Sequence, residues 1–584
     1  MAPARFEEWT PEHFLTNQTS CQLILEDAEA LREIPLVNSA PLHSFKDGEL
    51  VRFRGMIQDM YNPEYYFENY EVRNSQTGEC QIRCGTYKDT AYCLPHEEII
   101  IDSKKNRSSE RQTCVVISIP GLNEWAKEKC IKTNLNLPEV SHTSFKRTLE
   151  QSVEEMDCSE PIRKKEKMME NSENENTNTQ ERNNINTLSK EHIMNFPIPI
   201  DDGKACIVKV IKIYEDATSY KLNQILEIVG FISLDPALSL IHDSEDAMDD
   251  SEVQIHNPPT SLVPRLHAVK ITSLTRHHVD SCPQIVSRAE QIRAELHMIL
   301  SQILFGDTLA ADYLICHLIS SIYLRKDALC LGSFPINITN FSFGKFRTFP
   351  KDLYEILSLL VPKSHYLECS LEALNDMCLI PKKDYDCNRL TSGILQLSNN
   401  THLVIDETQL SSGRVSANGR KNYEAIGDLV KFQKVSYDFT YYPMEFETDI
   451  PVLILSEVKS FIPCVIQVIV KPDEDTENLY PQVVQAAKQY LKDDKRLNDI
   501  RQYLESMRHS DFQFNDEIVD TIQEDFVKMR QSDQNINADN LHSLMVLARL
   551  MSLSHGTNTL TKDYWKQSMD MESRRLERLP RREK

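Results

Sequence analysis

The sequence contains no run of about 18 uninterrupted apolar residues, so no membrane-spanning helix is expected. Its first residues, MAPARFEEWTPEHFLTNQTS, lack the basic flank and apolar stretch of a secretory signal, and a soluble, intracellular protein is expected. Basic charge is also in deficit. The 65 Lys and Arg stand against 88 Asp and Glu, a formal net charge of -23. Broad contact with a nucleic-acid backbone needs clustered cations, so partners should be proteins and not naked duplex DNA. The 15 cysteines, an odd number spread over a long chain, argue against a disulfide framework and for buried thiols in a reducing compartment.

A chain of 584 residues is long enough for two to four domains. Near the N-terminus the run from Leu50 to Met56 alternates apolar and polar residues as a half-buried strand does, and NYEVRNSQTGECQIRC reads as a strand pair turning at Thr77-Gly78. A small barrel of the oligonucleotide/oligosaccharide-binding (OB) type is expected. Arg52, Arg54, Tyr61, Tyr65 and Tyr66 are candidates for stacking single-stranded bases, but Glu64, Glu68 and Glu71 lie among them, and core and rim roles are favoured. Cys80, Cys84, Cys93 and His96 offer four zinc ligands ending in C-x-x-H; the spacing fits a zinc knuckle only in part, and ordinary half-buried cysteines are the preferred reading.

Residues 150–195 are rich in Asn, Glu, Ser and Thr and nearly free of aromatics, so this insertion is expected to be disordered. Within it Arg163, Lys164, Lys165 and Lys167 form a basic cluster that is either a nuclear import signal or a solvated charge run. The expected division is 1–149 for an N-terminal helix and OB-like strands, 150–195 for the insertion, and 196–242 for the remaining barrel strands. An acidic linker at 243–260, an α/β core at 261–475 and a helical domain at 476–584 follow. From Ile285, the residues Ala289, Ile292, Leu296, Ile299 and Ile303 recur on one helix face.

That helix leads into LFGDTLAADY, where Gly306-Asp307 invites comparison with a phosphate loop, G-x-x-x-x-G-K-[ST]. Laid from Gly306, the pattern meets Ala311 for the second glycine, Asp312 for the lysine and Tyr313 for the hydroxyl. Reversing the lysine charge replaces attraction for phosphate by repulsion, a change of roughly 8 kcal/mol before screening at about 4 Å and an effective dielectric near 20. Further on, Gly393 to Leu397 is expected to form a strand, and Leu403, Val404 and Ile405 a second one ending in Asp406-Glu407. That ending has the form of a Walker B element, whose Asp helps hold magnesium and whose Glu polarises water.

The stretch SGILQLSNNTHLVIDETQL, with DIPVLILSEVKS from Asp449 and the helical segments FQFNDEIVDTIQEDFVKMRQ and INADNLHSLMVLARLMSLSHG, resembles the mini-chromosome maintenance (MCM) helicases, AAA+ ATPases of DNA replication. The resemblance places Ser456 where a sensor Asn is expected, Phe461 in the place of an arginine finger and Asp539 in the place of a sensor arginine. PLHSFKDGELVRFRGMIQDMYNPEYYFENYE, YKLNQILEIVGFISLDP, VPRLHAVKI, FGDTLAADYLICHLIS and LVIDETQLSSGRVSANGRKNYEAI are similar to signature stretches of the MCM complex-binding protein family. The fold so implied is a multidomain α/β chain: an OB-like barrel with its insertion, then a degenerate AAA+/MCM-like core with a C-terminal helical lid. The function implied is a nuclear, cofactor-free, non-enzymatic partner of MCM helicase subunits that takes the place of a ring member. Its roles would lie in DNA replication, in assembly, supply or unloading of the complex, and in sister chromatid cohesion, with contact to chromatin only indirect. The competing readings are an active AAA+ ATPase using Asp406 and Glu407, and a single-strand binder using the N-terminal strands.

Overall fold

The computed structural model describes residues 6–132, 208–214, 220–235, 255–261, 263–274, 283–326, 329–514, 516–532 and 536–580. The insertion 150–195, with Arg163, Lys164, Lys165 and Lys167, lies outside them, as does 243–254 of the acidic linker. What is described is a mixed α/β chain with several sheets.

Three short helices, α1 (Pro11–Thr16), α2 (Gln18–Glu26) and α3 (Ala28–Glu33), precede the first sheet. Its strands are β1 (Leu50–Met60), β2 (Glu64–Asn74), β3 (Cys80–Cys84), β4 (Glu97–Ile99), β5 (Arg107–Ile117), β6 (Val208–Ile213), β7 (Ile225–Ser233) and β8 (Arg265–Ser273), with α4 (Glu124–Lys132) after β5. The pairings β1 with β5, β5 with β6, β6 with β8, β8 with β7 and β7 with β1 close on themselves; only β6 with β8 is parallel. Val51, Phe53, Ile57, Val116, Ile211, Ile228 and Leu266 fill the space they enclose. The strands β2 and β3 extend outward as the expected hairpin, turning through Gly78 at φ +73.

Two sequence expectations change here. β1 is buried along nearly its whole length and is not half-buried: Leu50 faces the cluster of Phe14, Leu25, Ile34 and Phe231 under the N-terminal helices, while Val51 and Phe53 face the interior. Its polar positions are ion-paired, Arg52 and Arg54 lying 3.4 and 2.6 Å from Glu227. The boundary at 261 also moves, because β8 completes the first sheet and does not open the α/β core.

The second half begins with α5 (Pro283–Ser287), α6 (Ala289–Ile303) and α7 (Thr308–Leu318), followed by the small pair β9 (Leu324–Lys326) and β10 (Leu329–Leu331). The elements β11 (Ile336–Thr339), α8 (Phe349–Leu360), β12 (Ser364–Glu368), α9 (Leu371–Asp376), β13 (Lys382–Asp384), β14 (Arg389–Thr391) and β15 (His402–Asp406) come next. They lead through α10 (Ala417–Phe432), β16 (Lys434–Asp438), β17 (Pro443–Glu447), β18 (Val452–Leu455) and β19 (Ile466–Ile469). The last helices are α11 (Glu474–Asn478), α12 (Tyr480–Tyr490), α13 (Asp494–Arg508), α14 (Asp516–Ser532), α15 (Ala538–Ser554) and α16 (Lys562–Glu577).

A five-stranded parallel sheet runs in the order β12-β15-β18-β11-β19, and a separate four-stranded sheet in the order β14-β13-β16-β17. Strands such as VLIL of β18 are apolar at every position because helices cover both faces of a parallel sheet. One core joins the sheet to α6, α7, α8, α12, α13, α15 and α16, and all six periodic residues from Ile285 to Ile303 are buried in it. The helical C-terminal segment is therefore continuous with the sheet's own core. Gly393 to Leu397 is not a strand: Ile394 N donates to Cys378 O and Leu395 N to Leu379 O in a buried turn. A side chain at Gly393 would meet Leu379 O at 2.4 Å, so this close backbone contact takes the place of strand pairing.

The two halves interlock. Asp59 Oδ2 accepts from Leu390 N at 2.7 Å, Gln58 Nε2 donates to Leu390 O at 2.6 Å, and Trp125 Nε1 donates to Ser358 O at 3.0 Å with Arg501 3.7 Å over its ring. Replacing Trp125 with alanine removes a hydrogen bond and a cation–π contact together worth about 1–3 kcal/mol. Calorimetry of Trp125→Ala is expected to resolve two unfolding steps where the natural chain gives one. A single, unshifted transition would show that the contact does not couple the halves.

Candidate functional site

The chain order along the parallel sheet reverses beside β11, and in open α/β sheets the crevice outside the carboxyl ends of the strands at such a point is the expected ligand site. Asp406 and Glu407 end β15 there, as the sequence predicts, and both are buried. Neither is open. Asp406 Oδ1 accepts from Thr408 N at 2.9 Å and Thr408 Oγ1 at 2.6 Å, while Oδ2 accepts from the Tyr366 hydroxyl. Glu407 accepts from Ser460 Oγ at 2.9 Å, Phe461 N at 3.0 Å and Ile462 N at 3.1 Å. Burial raises the Glu407 pKa above the usual carboxylate range, with those three donors opposing it. Carboxylates filled by their own chain have few lone pairs left for magnesium or water.

The loop 340–348 links β11 to α8, the strand–loop–helix context in which a phosphate loop works. Its sequence is NFSFGKFRT, and it places phenylalanines where a phosphate would need approaching backbone N–H groups. Phe341 stacks near Phe349 with centroids 4.5 Å apart, Phe346 lies 4.8 Å from Tyr480, and Phe305 lies 4.7 Å from Tyr480 and 5.2 Å from Phe349. Lys345, next to Gly344, reaches Glu477 Oε1 at 2.9 Å on an exposed surface, and Asn340 at φ +63 donates to Val470 O at 2.8 Å. The sequence pattern missed this loop; the available signal was the Gly344-Lys345 pair after the alternating strand Ile336–Thr339.

The stretch 306–313 occupies a different place. It joins α6 to α7 with no strand before it, so the backbone needed to close around a phosphate is absent. Gly306, at φ +85, makes the turn between the helices, and Asp307 caps α7 by accepting from Leu309 N at 3.0 Å and Ala310 N at 3.2 Å. The same carboxylate accepts from Lys471 N at 2.9 Å and pairs with Arg578. Ala311 is fully buried, Asp312 pairs with Arg293 at 2.7 Å and His297 at 3.4 Å, and Tyr313 donates to Glu572 at 2.7 Å. These residues fasten helices to one another and to β19.

The other residues singled out by the sequence disperse. Ser456 ends β18 and donates to Asn337 Oδ1 at 2.9 Å; Phe461, 44% exposed, packs 4.7 Å from Tyr423; Asp539 is exposed in the first turn of α15, where a negative charge suits the helix dipole. Cys80 and Cys84 sit at opposite ends of β3, about 13 Å apart at strand rise, too far to share a zinc ion. Among the described residues no group of three or more His, Cys, Asp or Glu can hold a metal. Tyr61 stacks 4.0 Å from His256, and Tyr66 lies under Arg111, so of the candidate stacking aromatics only Tyr65, 77% exposed, faces solvent.

The family model described as "Mini-chromosome maintenance replisome factor" matches residues 21–579. The chain belongs to that family. Proteins named mini-chromosome maintenance complex-binding protein are similar to it over nearly their whole length: 37% identity with the Danio rerio protein and 37% with the Homo sapiens protein, each over 95% of this chain and 92% of the relative. The Drosophila melanogaster protein is 36% identical over 98% of this chain and 96% of its own length. The replisome-factor family match thus covers both the closed first sheet and the parallel sheet with its filled crevice.

Two outcomes follow. Glu407→Ala leaves the Phe461 and Ile462 N–H groups without an acceptor, the Ser460 hydroxyl keeping Ile462 O at 2.8 Å, and is expected to destabilise the chain by about 2–4 kcal/mol, read from the urea midpoint. A change under about 0.5 kcal/mol would mean that the carboxylate is free of them. His297 is raised by its hydrogen bond to Asp312, so its contribution is complete below the unfolded-state value near 6.5 and is lost as pH rises through the higher folded value. Stability should therefore decline across that window, and His297→Gln should remove this component.

Proposed function

We propose that this chain is a non-catalytic binding partner of MCM helicase subunits, occupying the place of a ring member without completing an ATP site. The relatives' name, mini-chromosome maintenance complex-binding protein, supports the partner. The observation that carries the reading is the filled crevice: the Asp406 and Glu407 carboxylates are met by Tyr366, Thr408 and the 460–462 loop, and aromatic rings crowd the loop after β11. An AAA+-like scaffold whose chemistry has been replaced by packing is the account that joins these facts. The five strands paired in a closed ring support an OB-like first domain.

The same 456–465 loop that caps Glu407 exposes Val458, Phe461 and Val465 at 74, 44 and 74%. An apolar loop in the place of an arginine finger is suited to dock against a neighbouring subunit while offering it no transition-state charge. On this reading the chain acts in the nucleus, in DNA replication through assembly, supply or unloading of the MCM complex, and in sister chromatid cohesion.

Affinity capture with the natural chain from nuclear extract is expected to recover MCM subunits in near-stoichiometric amount. The double change Val458→Asp with Val465→Asp, at the two positions that are 74% exposed, should reduce that recovery at least tenfold while leaving the thermal midpoint within about 2 °C, since surface substitutions away from packed features cost little. Recovery of none by the natural chain would end the proposal; equal recovery by the variant would remove the loop from the interface.

A further inference from the structure

A cavity of about 460 Å3 lies where three parts of the molecule meet: the start of β7 with the end of β8, the parallel sheet, and helices α13 and α15. That volume is within the range small-molecule ligands occupy. Its chemistry differs from that of the filled crevice. Arg508, Arg549 and Lys363 all line it, and Arg508, Arg549 and Lys363 are 4, 3 and 2% exposed.

Arg508 is engaged at all three nitrogens: Nη2 pairs with Asp449 at 3.2 Å and donates to Asn400 Oδ1 at 2.7 Å, Nε donates to the same Oδ1 at 3.1 Å, and Nη1 donates to Ser320 O. Lys363 donates to Ser398 Oγ at 3.0 Å and to Asn399 O, both neutral. Arg549 has the faces of Tyr323 and Phe512 at 4.6 and 5.8 Å, and its Nη1 is buried with no hydrogen-bond partner among the described residues. Among the described residues neither Lys363 nor Arg549 forms an ion pair. The acids at the cavity are Asp449, engaged by Arg508, and Asp511, which is exposed; His509 pairs with Glu505 at 3.1 Å. Buried charges are ordinarily paired, and an unpaired buried guanidinium is the donor geometry that binds phosphate oxygens.

We propose that this cavity binds a small ligand carrying phosphate groups, held by Arg549, Arg508 and Lys363 and flanked by the side-chain amides of Asn223 and Gln224. The unpaired fork of Arg549, with the charges of Arg508 and Lys363 beside it, matches a multiply charged tetrahedral group better than a single carboxylate, which one arginine satisfies. Because the lining comes from both halves of the chain, the ligand would also clamp the first sheet to the second half. Burial and Arg508 hold the Lys363 ammonium down at about 7, with Glu505 and Asp449 opposing, and an anion would restore its charge. His317, pushed down to about 4, and His402, lower than its ordinary range, stay neutral nearby.

The test is isothermal titration of the full chain, free of MCM subunits, with inorganic pyrophosphate and orthophosphate. Saturable 1:1 binding is expected, tighter for pyrophosphate, and weakened about tenfold or more by Arg549→Met and by Lys363→Met. If Arg549→Met fails to fold, Lys363→Met decides. No saturable binding to either probe, or binding unchanged in the folded variants, overturns the proposal. Sulfate, whose charge is constant, should bind more tightly at about pH 6 than at about pH 8 in the natural chain and lose that difference in Lys363→Met; the His509–Glu505 pair is common to both proteins, so the contrast isolates Lys363. An equal pH dependence in both would remove Lys363 from the site.

Discussion

The stacking of Phe305, Phe341, Phe346, Phe349 and Tyr480 is the contact on which the second half of the molecule depends. These rings come from the α6–α7 turn, the loop after β11, the start of α8 and the start of α12. Aromatic pairs at such distances add about 0.5–1.5 kcal/mol each beyond the area they bury, so a cluster of this size fixes the approach of all four elements. Phe341 and Phe346 belong to the loop that follows the carboxyl end of β11. On the proposed function, a nucleotide at that loop would have to displace those rings, which the stability of the fold opposes.

The acids at the end of β15 are subject to a related constraint. Asp406 and Glu407 keep the position that an apolar strand ending in two acids gives them, but every donor they accept is supplied by the chain itself. Glu407 holds the 460–462 loop in place, and that loop turns Phe461 and Val465 outward. A pair that elsewhere would organise metal and water here organises an apolar surface. On the proposed function, loss of chemistry and gain of a docking surface are one structural event.

The sequence made some of this legible and hid the rest for physical reasons. Asp406 and Glu407 were readable because LVI followed by two acids is a local pattern, and the helix face from Ile285 to Ile303 was readable because helical periodicity is local too. The crevice loop was not, since its phenylalanines look like ordinary core residues and β11 is only four residues long. Gly306-Asp307 drew the comparison instead, although the helical periodicity from Ile285 already puts a helix and not a strand before it, as the fold confirms. Gly393 to Leu397 misled in a similar way: apolar residues beside a glycine suit a strand, but the backbone contact with Leu379 decides the turn. The pairing that closes the first sheet depends on β6 meeting β8 in parallel across an intervening strand, and no local pattern encodes that.

The central claim is that packing has replaced nucleotide chemistry at the parallel sheet. The most direct test is magnesium-dependent ATP hydrolysis by the purified full chain, followed by release of phosphate over hours at saturating nucleotide. The account predicts no turnover above the buffer blank. Turnover that requires magnesium and disappears in Glu407→Gln would contradict it.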